Sequence, residues 1–158
     1  LGEAANSVCE HAAARGSLRL LKWARVNNLD WSIHTCYYAA VKGDLPALQY
    51  LHENGCPWDQ HTCYHAAYNG HLPALQYLHE NGCPWDKYTC AYAVTKGHLP
   101  ALQYLHENGC PWDGYTCYYA AHKKHWDCLQ YAVDNKCPFW KHYAERYANH
   151  LTDEMSSS

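Results

Sequence analysis

The sequence predicts an all-α solenoid of short helix–turn–helix repeats, each covering the apolar face of its neighbour. Three observations carry this. The run LPALQYLHENGCPWD occurs three times, at Leu45–Asp59, Leu72–Asp86 and Leu99–Asp113, with a period of 27 residues. Self-similarity at a fixed period of this length marks a repeat array. Within each period, two short stretches have helical apolar spacing and are bounded by cap residues. Helices of about ten residues are marginal alone in water, and one helix pair cannot bury its own apolar face, so stacking must supply the core.

The expected organisation is a single repeat domain over 1–158: a degenerate front unit 1–30, full repeats 31–57, 58–84, 85–111 and 112–138, a capping helix 139–151 and a frayed tail from 152. In the front unit, Cys9, Ala12, Ala13 and Gly16 keep the places of Cys36, Ala39, Ala40 and Gly43. A second helix is expected from Leu18 to about Val26, ended by Asn27-Asn28. In the full repeats Asp59, Asp86 and Asp113 are placed to accept a hydrogen bond from a free first-turn amide. The first helix, about Gln60–Asn69 in its second copy, carries two small residues (Ala66-Ala67, Ala93-Val94) that let a neighbour approach closely, and Gly43, Gly70 and Gly97 stop it. Pro46, Pro73 and Pro100 open the second helix, where no internal hydrogen bond is lost. Leu48 with Leu51, Leu75 with Leu78 and Leu102 with Leu105 point inward, and Asn54-Gly55, Asn81-Gly82 and Asn108-Gly109 close the helix. In the back unit His122-Lys123-Lys124-His125 replaces the glycine turn, and a last amphipathic helix is expected over about Trp140–Leu151. Its Lys141, His142, Glu145, Arg146, Asn149 and His150 suit a solvated outer face.

Composition narrows the function classes. Twelve Lys and Arg stand against fifteen Asp and Glu, without a basic block, so nucleic acid is not an expected partner. No apolar run approaches the roughly 18 residues of a membrane span, so no membrane role is expected. The ten cysteines recur at two fixed positions of each repeat, which reads as a packing requirement met by reduced thiols rather than a secreted disulfide framework. An intracellular compartment, cytoplasm or nucleus, follows as the expectation.

The run Ala67-x-x-Gly70-His71-Leu72, followed by Leu75, Tyr77, Leu78 and Gly82, resembles the helix–turn–helix half of an ankyrin repeat, and all four full repeats share it. Ankyrin repeats usually run 33 residues. This period is shorter, and the residues lacking are those of the β-hairpin finger that joins ankyrin units. The His61-Thr62-Cys63-Tyr64 run departs from the Thr-Pro-Leu-His signature, and the Cys-Pro-Trp-Asp junction is similar to short ankyrin-like repeats of giant DNA viruses and protists. The resemblance implies a helices-only array that binds another protein, through first helices lining a groove.

The second helix and junction are copied letter for letter in three repeats, whereas the first helix varies. Its variable positions fall at i, i+3, i+4 and i+7, one helical face. The candidate partner-binding residues on that face are His34, Tyr37, Tyr38, His61, Tyr64, His65, Tyr68, Tyr88, Tyr92, Tyr115, Tyr118, Tyr119 and His122. Tyrosine offers large contact area at low entropy cost, and a hydroxyl. The alternative role for some of these rings is packing between repeats. Tyr64→Ala with Tyr68→Ala is expected to weaken binding and leave the array folded.

His52, His79 and His106 each precede a cysteine by four residues (Cys56, Cys83, Cys110). These six are the candidate zinc ligands, though a structural site wants four ligands and no close Cys-x2-Cys pair is present. The plainer expectation is that each histidine hydrogen-bonds the Asn-Gly turn or the next Asp-capped helix start, with no metal and no cofactor. No Gly-rich phosphate loop and no Gly-x-Ser-x-Gly elbow occurs, so a non-enzymatic module is expected, monomeric. The alternative is a structural protein assembling end to end through complementary terminal faces.

Overall fold

The computed structural model describes residues 2–152, and side chains from residue 7. The expected tail lies outside the described residues from 153 on. Among the described residues the regular structure is helical throughout, with eleven α-helices, one 3-10 turn and no strand. The chain divides into two compact units, one ending at Trp85 and the other beginning at Asp86.

The first unit holds α1 (Gly2–Arg15), α2 (Leu18–Val26), α3 (Ile33–Lys42), α4 (Leu45–Glu53), α5 (Gln60–Tyr68) and α6 (Leu72–Glu80). Here α1, α3 and α5 pack side by side as one layer, and α2, α4 and α6 as the other. Alanines make the first layer close: Ala12, Ala13, Ala39, Ala40, Ala66 and Ala67 are fully buried. Leu48, Leu51, Leu75 and Leu78 fill the space between the layers. The second unit holds α7 (Lys87–Thr95), α8 (Leu99–Glu107), α9 (Gly114–His122), α10 (Trp126–Asp134), α11 (Trp140–Arg146) and the 3-10 turn Ala148–His150. Here α9 lies between α7 and α11, α8 packs on α10, and Leu102, Leu105 and Leu129 form the core.

The caps expected from sequence are present. The side chains of Asp59, Asp86 and Asp113 accept from the backbone N–H two residues on, at 2.9, 2.8 and 3.0 Å. Ser32 caps α3, with Thr35 Oγ1 accepting in return from the Ser32 N–H at 3.2 Å. Asn54, Asn81 and Asn108 are the C-caps of α4, α6 and α8, and the glycine after each is left-handed. Gly43 is left-handed, and a second feature also calls for glycine there: the His71 imidazole crosses it, with Nε2 2.9 Å from the Val41 carbonyl. In the second unit His125 crosses Gly97 in the same way.

Two boundaries differ from the expectation. First, α5 ends at Tyr68, with Asn69 as C-cap. Second, the last helix stops at Arg146 rather than near Leu151, and the chain tightens into a 3-10 turn. The cause is tertiary: Trp126 of α10 stacks on His150, centroids 4.1 Å apart and rings 2° from parallel, and also meets Tyr147. The chain is held down beyond the turn, where the Thr152 N–H donates to Gln130 Oε1 at 2.8 Å.

Candidate partner-binding face

The variable residues do share one face of each first helix, but they divide by burial. In the first unit His34 and His61 are exposed, while Tyr37, Tyr38, His65 and Tyr68 are half-buried. Tyr37 is the hub of this cluster. Its ring lies 4.6 Å from His65 on the next helix, 5.0 Å from Tyr38 and 6.3 Å from His34, all edge to face. Edge-to-face geometry suits the ring quadrupoles and fixes the rotamers. Burial, and then the charge of His61, holds His65 below the usual imidazole range. Ile33, His34, Tyr37, Tyr38, Asp59 and His61 line a shallow concavity. Tyr64 is corrected: only 8% exposed, it is a packing residue, so its truncation would perturb the fold as well as any surface.

In the second unit Tyr88, Tyr92, Tyr115, Tyr118 and His122 are exposed, Tyr115 by half of its surface. Tyr118 stacks on His122 at 5.6 Å with rings 5° apart, and meets the half-buried Tyr119 edge to face at 5.2 Å. Lys87 and Asp113 form an ion pair at 3.0 Å beside these rings, and the Lys87 ammonium sits 5.1 Å from the Tyr88 ring centre.

Two residues of this face were not singled out from sequence. Asp113, Gly114, Tyr115 and Tyr118 share a concavity with Phe139 and Tyr143. Phe139 is left-handed, φ 66°, and 72% exposed, with its ring against Gly114, where a Cβ would meet it at 2.5 Å. The signal available was the junction itself, which reads Cys-Pro-Phe-Trp there instead of Cys-Pro-Trp-Asp.

Among the described residues the histidines of the His–Cys ladder stack on the junction tryptophans. His52 stacks on Trp58 at 3.8 Å, His79 on Trp85 at 3.7 Å and His106 on Trp112 at 4.0 Å. Tyr77 closes the first of these stacks edge-on. Tyr131 does so in the second unit, its hydroxyl 2.9 Å from His106 Nδ1. Cys56, Cys83 and Cys110 are buried beyond the helix ends, and their thiols donate to the carbonyls of Ser32, Asp59 and Asp86. Among the described residues no three of His, Cys, Asp or Glu converge as metal ligands would.

Residues 36–79 match the family model for ankyrin repeats (many copies). Among solved structures, the crystal structure of the human ASB11 ankyrin repeat domain is similar with a TM-score of 0.69 and 18% identity, over 82% of this chain and 69% of that one. At that identity the likeness speaks for the fold. No curated protein sequence matches the chain. With its helix pairs, glycine turns and 27-residue period, the chain has the fold of an ankyrin-repeat solenoid, and residues 36–79 carry the ankyrin-repeat match.

Proposed function

We propose that the chain is a non-enzymatic, intracellular module that binds another protein through the exposed aromatic face of its first helices, with α7 and α9 contributing most. Ankyrin repeats generally serve as protein–protein interaction modules. One observation supports this choice of face: variation gathers there even among the three repeats whose second helices are identical. Uniform second helices meet a uniform packing need. Tyr88, Tyr92, Tyr115 and Tyr118 instead spend large rings on solvent in repeats whose core alanines and leucines are already in place. Exposed aromatic anchors of this kind carry most of the energy in protein interfaces.

The test is quantitative affinity capture with the wild-type chain, a Tyr115→Ala/Tyr118→Ala variant and a control altered on the second helix, Gln103→Ala. A partner retained by wild type and control should bind the tyrosine variant at least about tenfold more weakly, since truncating two anchors costs about 2 kcal/mol or more. Equal retention by all three folded proteins would move the binding face elsewhere.

A further inference from the structure

We propose that each full repeat carries a latent disulfide between its first-helix cysteine and the junction cysteine twenty residues later: Cys36–Cys56 and Cys63–Cys83 in the first unit, Cys90–Cys110 and Cys117–Cys137 in the second. The first-helix thiol reaches the backbone of its junction cysteine. Cys36 Sγ lies 3.9 Å from the Cys56 carbonyl oxygen, and Cys63 Sγ 3.9 Å from that of Cys83. The junction thiols return toward the start of the same first helix. Cys56 Sγ is 3.6 Å from Ser32 O, Cys83 Sγ 3.3 Å from Asp59 O, Cys110 Sγ 3.4 Å from Asp86 O and Cys137 Sγ 3.3 Å from Asp113 O. A side-chain hydrogen bond joins the two thiols in Cys36–Cys56, Cys90–Cys110 and Cys117–Cys137. All eight are buried.

The two remaining cysteines act as internal controls. Leu29 stands twenty residues after Cys9, and Cys128 occupies the position of Ala47, Ala74 and Ala101. Neither has a counterpart at the paired spacing.

The oxidant required is a small disulfide such as glutathione disulfide. One protein thiolate attacks it, forming a mixed disulfide and releasing one glutathione thiol. The second protein thiolate attacks the protein sulfur of that adduct and releases the other. Per pair, two thiols lose two electrons, one small disulfide gains them, and the two thiol protons end on the released glutathiones. The neighbouring thiol and burial both push Cys36 and Cys90 far above the usual thiol range, the hydrogen bond with Cys137 instead holds Cys117 below it, and burial keeps all eight sulfurs away from a bulky oxidant in the folded chain. Pairing therefore belongs to folding under oxidising conditions, before the sulfurs are shut in. In a reducing compartment the same pairs fold as thiols. A bond at this position ties the two helices of one repeat and leaves the stacking of repeats alone.

The test is to refold the full reduced chain in an oxidising glutathione buffer, quench with acid, alkylate free thiols and map cross-linked peptides. The expected result is the loss of two hydrogens at each of the four named pairs, alkylation of Cys9 and Cys128, and an unchanged helical circular dichroism signal. Cys56→Ser should leave Cys36 alkylated and the other three pairs intact. Ten alkylated thiols, persistent glutathione adducts, links such as Cys56–Cys63, or correct links with the helical signal lost would each overturn the proposal. The wild-type map stands alone if the variant does not fold.

Discussion

A Cβ on Gly43 would come within 2.5 Å of the His71 ring, and the residue already has φ 72°. Two costs therefore meet in one substitution. Gly43→Ala should lose about 1–2 kcal/mol from the left-handed backbone alone, with the ring clash added. Urea denaturation measures the sum. In a His71→Ala background the clash disappears, so the same substitution should cost less; equal costs in both backgrounds would show that the ring contributes nothing. Asp59 and His65 add an acid sensitivity. Burial pulls the Asp59 carboxyl up, but the hydrogen bonds and charge of His61 outweigh it, and the group sits below its ordinary value. A depressed carboxyl stabilises the fold above its unfolded pKa of about 3.9 and loses that contribution as pH falls through the folded value. His65 is depressed as well, by burial first and then by His61. For a histidine this means that the unfolded chain takes the proton more readily, so stability declines as pH drops below about 6.5. His65→Gln should therefore lose less stability than wild type between pH 7.5 and 5.5. A parallel decline would assign the acid loss to other groups.

At the scale of the element, left-handed turns close the helix pairs, and three are made without glycine. Asn28, Lys124 and Lys136 have φ of 54°, 60° and 54° at positions where the repeats otherwise carry glycine. Gly97 is the counterpart of Lys124, and there His125 leaves no space for a Cβ. The corresponding position after Lys124 is Thr152, which turns to Gln130 instead. Steric demand for glycine is thus relaxed while the dihedral cost persists. Lys124→Gly should raise stability by about 0.5–1 kcal/mol in thermal or urea melts, the left-handed relief outweighing the added freedom of the unfolded chain. Signals of this local kind were legible in the sequence: Asp caps, first-turn prolines, Asn-Gly endings and alanine pairs each act within a few residues. What depends on a neighbouring element was not. Tyr64 and Tyr92 belong to the same stripe, yet one is buried and the other exposed. The amphipathic pattern runs on past Arg146, but Trp126 captures His150 and ends the helix early. The second-helix histidines sit four residues before cysteines in the sequence, yet they lie on tryptophans six residues away, across the turn.

For the whole molecule the question is whether the array stays single, because a repeat array grows if its two ends match. The exposed surfaces of α2 and α11 differ in chemistry. The front pair exposes an apolar strip on α2, with Leu20 at the rim, Trp23 at 52% and Val26 at 80%. The α11 surface instead exposes Lys141, His142, Glu145 and Arg146. Burying those charges against an apolar strip would remove them from water without partners, a cost the contact could not offset. A contact between the α2 strip of one copy and the α11 surface of another is therefore expected to be weak. The association expected of the α2 strip is isologous, strip against strip, which would close at two copies. Light scattering over a concentration series should give a mass of one chain, rising to two at most, and Trp23→Lys should hold it at one. A mass that keeps climbing with concentration, and is insensitive to Trp23→Lys, would instead favour a structural protein that polymerises through its ends.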